Sequence, residues 1–135
     1  MKKIRTRLLG TVAALCLGIA VQAAPPTGVW SVDANGFTGT MSILVDAAGN
    51  VSGTFLSSPI RGFWTESSQR LMFYRVIGGS VLSTPPQNIQ IYTAYQFPAL
   101  TTQPNGSKRL TGYFEAFGGT GATATRNVFG WYAYK

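Results

Sequence analysis

From residue 24 onward the chain shows no helical periodicity of useful length. Apolar and polar positions instead alternate in short bursts separated by turn residues. In GTMSILVDAAGNVSGTF, Met41, Ile43 and Val45 fall on one side, DAAGN turns the chain, and the alternation resumes through Val51 and Phe55. That is the pattern of a tight antiparallel hairpin. The same rule predicts eight strands, at 28–33, 38–46, 50–57, 60–66, 70–77, 88–97, 109–117 and 127–134. Asp33-Ala34-Asn35-Gly36, Ser57-Ser58-Pro59, Glu66-Ser67-Ser68 and Asn105-Gly106 supply turn chemistry between them. No linker or internal repeat interrupts this meander, and 135 residues suit one domain.

Eight short strands joined by hairpins fold economically as a sandwich or as a closed up-and-down barrel. Closure removes the free edges that template aggregation, so the expected fold is all-β, an eight-stranded antiparallel up-and-down β-barrel. Connections after odd strands then share one end. The long segments IGGSVLSTPPQ (77–87) and GGTGATATR (118–126) both follow odd strands and would decorate one rim, whereas PALTTQPNGSK falls at the other. The expected shape is a cup with a decorated mouth.

Charge changes the picture less than its total implies. Of the formal excess of +7, four charges sit on Lys2, Lys3, Arg5 and Arg7, ahead of the apolar run LLGTVAALCLGIAV and the small-residue end VQAAPP. This is the layout of a secretory signal peptide with cleavage expected after Ala23, so residues 1–23 form the leader and 24–135 the barrel domain. The run is short for a membrane span. The basic excess is thus mainly an export address rather than a nucleic-acid footprint, and the expected location is periplasmic or secreted, in a bacterium. Cleavage also removes Cys16, the only cysteine; Leu15 before it is not the small residue that lipoprotein processing wants. The mature chain then has neither cysteine nor histidine and must be held by its core. Every aromatic residue lies after position 23, and aromatic side chains bury large areas.

The segment GVWSVDANGFTGTMSILVDAAGNVSGTFLSS resembles the start of avidin- and streptavidin-type proteins, which run Gly-X-Trp, a strand, then a hairpin ending in Gly-Thr-aromatic. Lipocalins share the Gly-X-Trp start, and the wider group is the calycins. The resemblance implies a calycin-like barrel in which Trp30 closes the floor beneath a cation from the last strand, Arg126 or Lys135. It covers residues 28–58. The ligand residues it implies carry over poorly. Val32 stands where an asparagine is expected, Phe55 where a tyrosine is expected, and the final strand NVFGWYAYK has no counterpart of an expected aspartate. Ser57 matches a ligand-contacting serine. Most of the polar set that would hold a urea-like head group is absent, which argues against biotin, because a site built on several buried hydrogen bonds loses most of its affinity without them.

Candidate chemistry is sparse. Asp33, Asp46 and Glu66 lie in or beside turns, where carboxylates cap backbone N–H groups. Glu115, in LTGYFEAF, and Arg75, in RLMFYRVI, sit on apolar strand faces. There a charge is costly unless paired or wet, so each points either to solvent or into a polar pocket; Arg75 is the preferred pocket cation. Acid–base catalysis lacks histidine, a nucleophilic serine lacks its usual base, and metal sites built on histidine or cysteine are excluded. GGTGAT has no following lysine and is not a phosphate loop. The protein is therefore read as non-catalytic, with no cofactor and no metal; a cyclase-type barrel that only shapes a reactive substrate would need few polar residues and stays open.

The expected function is to hold a small apolar or aromatic molecule in the cup. An eight-stranded barrel is just wide enough to be filled by side chains or to hold one small ligand. The expected lining is Phe55, Ser57, Trp64, Phe73, Arg75, Tyr95 and Phe114, with Arg75 and Ser57 orienting a polar end. The alternative is a protein-binding module, such as a hydrolase inhibitor, acting through the loops at 78–87 and 118–126. A packed barrel with no ligand is a third possibility. Aromatics on both faces of the last two strands (Tyr113 and Phe117 against Phe114, Tyr132 and Tyr134 against Phe129 and Trp131) suggest a homodimer along them. No nucleic acid and no membrane is expected for the mature form.

Overall fold

The computed structural model describes residues 24–77, 89–96, 108–118 and 125–135. The leader, the 78–87 loop, most of the 118–126 loop and the Asn105-Gly106 turn lie outside the described residues. Eight strands follow in order: β1 (Gly28–Ala34), β2 (Phe37–Val45), β3 (Asn50–Phe55), β4 (Ser58–Thr65), β5 (Arg70–Val76), β6 (Ile89–Gln96), β7 (Arg109–Gly118) and β8 (Thr125–Tyr134). Each pairs antiparallel with the next, and β8 returns to β1, so the sheet is a closed barrel, as the pattern predicts.

Period-two alternation sets the inside. Trp30, Val32 and Ala34 of β1, Met41 and Ile43 of β2, and Trp131 and Ala133 of β8 are buried, while their strand neighbours face outward. Asp33 and Asp46 act as the expected turn carboxylates, Asp33 accepting from the Gly36 backbone N–H, whereas Ser58 and Pro59 belong to β4 and Glu66 accepts in its turn through its backbone carbonyl. Asp46 accepts hydrogen bonds from the backbone N–H groups of Ala48 (2.9 Å) and Asn50 (2.8 Å) and from the Asn50 amide (2.8 Å). The Asn50 side chain, then its backbone N–H, hold the Asp46 carboxyl below its ordinary pKa. A single 3₁₀ turn, Glu66–Ser68, joins β4 to β5.

The Asp46 turn, the 3₁₀ turn and the chain flanking the barrel lie at one end, which is closed. Residues 24–27 cross it: the Trp30 indole Nε1–H donates to the Pro26 carbonyl (2.8 Å) and the Gln96 amide to the Ala24 carbonyl (3.1 Å). Trp30 is thus the floor. Its cation is Lys135, whose Nζ sits 4.5 Å from the ring centroid and donates to the Thr27 carbonyl at 2.6 Å. Burial, then the nearby Lys108 charge, lowers the Lys135 pKa. Arg126 is at the opposite end, paired with Glu115. Gly28 explains the first letter of Gly-X-Trp: its φ of +123° suits glycine, and a Cβ there would stand 2.9 Å from Lys135 Nζ.

Candidate functional site

Above this floor the barrel is filled by rings. Phe55, Phe73, Tyr92 and Phe114 come from four different strands. Phe73 stacks on Tyr92 (4.8 Å, 6°) and Tyr92 on Phe114 (4.7 Å, 16°), while Phe55 lies 4.5 Å from Tyr92. Trp131 meets Phe55, Phe73 and Tyr92 edge-on at 5.5 to 5.7 Å. Its Nε1 lies 3.2 Å from both the Thr93 and Tyr113 carbonyls, so the one polar atom of this ring has partners. The shaft is a side-chain core and the open space is confined to the mouth.

That space is a cavity of about 490 Å³ lined by Ala34, Asn35, Phe37, Leu56, Ser58, Arg75, Ile77, Gln90, Tyr92, Phe114 and Phe129. Its polar centre is a three-residue group. Arg75 Nε donates to Gln90 Oε1 (2.7 Å), Tyr92 Oη donates to the same oxygen (2.6 Å), and Arg75 Nη1 donates to the Phe55 carbonyl (3.2 Å). The guanidinium carbon lies 5.2 Å from the Phe55 centroid and 5.8 Å from that of Tyr92. Burial pushes the Tyr92 hydroxyl up to about 12 against the opposing pull of the Arg75 charge and hydrogen bonding, so it stays protonated at neutral pH.

Of the seven expected lining residues, the structure gathers Phe55, Phe73, Arg75 and Phe114 at or directly beneath the mouth. Trp64 is buried on the correct face but near the closed end, beside Gly49, whose carbonyl accepts from the Trp64 backbone N–H; it does not line the mouth. Two further positions depart from the expected lining. Tyr95 is on the outer wall, 41% exposed, because β6 turns Gln90, Tyr92, Ala94 and Gln96 inward. Ser57 is not in a strand: β3 ends at Phe55, and Leu56 and Ser57 form a turn with φ of 48° and 67°. Ser57 is exposed and Ser58 takes its place in the lining.

Gln90 and Tyr92 were not singled out by the sequence pattern. The available signal was register. Phe73 pairs with Tyr92 and Arg75 with Gln90, so an inward Arg75 forces an inward Gln90. Glu115, the other charge on an apolar strand face, points outward to Arg126. The outer wall of β7 and β8 exposes Tyr113, Val128, Tyr132 and Tyr134, and Arg109, Thr111, Tyr132 and Tyr134 border a second concavity. Among the described residues, no three acidic, cysteine or histidine side chains cluster in a way that would hold a metal.

No protein-family model matches the sequence, and no curated protein does. Solved structures match by shape. The short afifavidin–biotin complex superposes with a TM-score of 0.57 at 11% identity, over 82% of this chain and 90% of that one. The rhizavidin–biotin complex gives 0.55 at 16%, over 81% and 91%. Apo shwanavidin gives 0.56 at 14%, over 84% and 98%. At these identities the likeness is one of fold: the chain shares the closed eight-stranded antiparallel barrel of these avidin-like structures.

Proposed function

We propose that this avidin-like barrel is an exported, non-catalytic protein that holds one small apolar or aromatic molecule in its mouth. One observation carries the reading: a cavity of about 490 Å³, walled by Phe37, Phe114, Phe129 and Tyr92, with a single fixed polar group at its centre. Mostly apolar walls with a few oriented polar atoms are the ordinary makeup of small-ligand sites. Rhizavidin and short afifavidin are solved with biotin, which supports ligand binding as a use of this architecture. The ligand here differs from biotin in what it asks of the protein, since Val32 and Phe55 replace the polar groups that the family resemblance implies, and rings occupy the shaft below the mouth. Export follows from the leader-like residues 1–23.

The test is a native mass spectrum of the protein purified from its own host, combined with tryptophan-fluorescence titration with small aromatics. A retained small molecule, or saturable quenching, is expected. A ligand-free spectrum with no quenching by any aromatic tried refutes the reading.

The filled shaft favours a second reading, in which the barrel is a rigid scaffold and the segments following β5 and β7 bind a protein such as a hydrolase. Shortening those segments would then abolish inhibition of the target and leave small-molecule quenching unaffected. The exposed tyrosines of β7 and β8 also support a homodimer along those strands, which sedimentation of the mature chain would report.

A further inference from the structure

Arg75 is an inward-facing cation in an aromatic cup, and none of the carboxylate side chains balances it. The chain has four carboxylate side chains in all, and each is elsewhere. Asp33 accepts from the Gly36 backbone N–H (2.9 Å) and lies 3.4 Å from the Tyr132 hydroxyl on the outer wall. Asp46 is consumed by its turn at the closed end, Glu66 opens the 3₁₀ turn at that same end, and Glu115 is bound to Arg126 outside the barrel. Tyr92 keeps its proton at neutral pH and cannot act as a phenolate. Among the described residues the partners of Arg75, Gln90 Oε1 and the Phe55 carbonyl, are neutral. They fix the fork in place without discharging it. A guanidinium carries five N–H donors, and among the described residues these bonds use two, leaving donors on Nη1 and Nη2 for a planar acceptor.

Resting on the reading of the mouth as a ligand site, we infer that the molecule it takes is a small planar aromatic acid, with its carboxylate on Arg75 and its ring among Phe114, Phe129 and Tyr92. The anion supplies the missing counter-charge, and the fork matches a carboxylate in a two-bond geometry. The ring enters a wall already built for it: Phe114 and Phe129 lie 5.1 Å apart and tilted by 34°, at the cavity edge. A half-buried charge pair with apolar flanks is screened by salt less than a surface pair is.

The test compares 2-naphthoate with 2-naphthamide, which share a shape and differ in charge, by fluorescence titration of the mature chain at neutral pH. The expected result is a preference of about tenfold or more for naphthoate, from charge-assisted hydrogen bonds that the amide lacks. In Arg75→Met the preference falls to about unity, whereas Arg75→Lys keeps part of it. Gln90→Glu, which places a carboxylate against Arg75 inside the chain, lowers the naphthoate-to-naphthamide ratio by about tenfold and serves if Arg75→Met does not fold. Equal binding of the two probes to the unaltered chain overturns the anion inference and leaves the mouth as a neutral-ligand site. A preference that survives in Arg75→Met overturns the assignment to Arg75. Binding of neither probe overturns this inference together with the reading on which it rests.

Discussion

Phe73→Ala tests whether the barrel is filled or hollow. Phe73 is 1% exposed and stands in the middle of the ring column, 4.8 Å from Tyr92, 5.3 Å from Phe55 and 5.7 Å from Trp131. Removing a buried phenylalanine ring costs about 3–5 kcal/mol, more where the surroundings cannot collapse. Here they cannot collapse easily, because the wall is a closed hydrogen-bonded sheet, so about 4 kcal/mol is expected. A domain of this size has roughly 5–15 kcal/mol of stability, so the variant still folds. Urea titration followed by tryptophan emission is the assay, with Trp131 beside the vacated space as reporter. With a slope of about 1–3 kcal/mol per molar, the midpoint should drop by about 2 M. Phe63→Ala is the control: that ring is 61% exposed on the outer wall, and a loss of about 0.5 kcal/mol or less is expected. A Phe73→Ala loss of about 1 kcal/mol or less, or one equal to that of Phe63→Ala, would refute a packed shaft.

Three other outcomes follow from the geometry. Gly53 has φ of +144°, and a Cβ there would stand 1.9 Å from the Ser42 carbonyl oxygen, so Gly53→Ala should cost about 2 kcal/mol or more in thermal or urea unfolding; a neutral substitution would refute so close an approach of β2 to β3. Trp30→Phe removes the indole N–H from the Pro26 carbonyl and weakens the contact with Lys135, for an expected loss of about 2 kcal/mol and a lower Tm. For Tyr92 the folded pKa is raised from 10.0 to about 12, so its contribution is whole below pH 10 and is lost as pH climbs through 12. Urea midpoints between pH 9 and 12 should therefore fall more steeply for the unaltered chain than for Tyr92→Phe, by on the order of 2–3 kcal/mol at the alkaline end.

The strands were legible because each carries the alternation that one buried face requires. The predicted 28–33 and 109–117 are observed as Gly28–Ala34 and Arg109–Gly118, and the other six differ from prediction by no more than two residues at either end. The site was legible where strand parity is unambiguous, as at Phe73 and Arg75. It failed at Tyr95 for a physical reason. In β6 the outward residues Ile89, Ile91 and Tyr95 are as apolar as an interior set, while the inward set includes Gln90 and Gln96. Hydrophobicity alone then selects the wrong face, and the long connection before β6 hides the register that would have corrected it. Ser57 failed because two consecutive residues with positive φ, Leu56 and Ser57, make a turn with no glycine to announce it. Depth along the axis follows from chain direction rather than from hydrophobicity: Phe55 closes the odd strand β3 at the mouth, and Trp64 lies one residue from the end of the even strand β4 at the base, so the two cannot share one lining.

Seven of the eight joints in this barrel link neighbours in the chain; the eighth links its two ends, and its ladder runs only from Ser31↔Tyr134 to Ala34↔Trp131. Joining positions about a hundred residues apart carries the largest chain-entropy cost of any seam in the molecule. It is also the seam with the briefest ladder. The staple of Lys135 over Trp30 and onto Thr27 lies just past that ladder, on the side of the base. The cylinder therefore has a built-in weak line, fastened at the bottom, along which β1 and β8 should exchange their amide hydrogens before any other pair of strands.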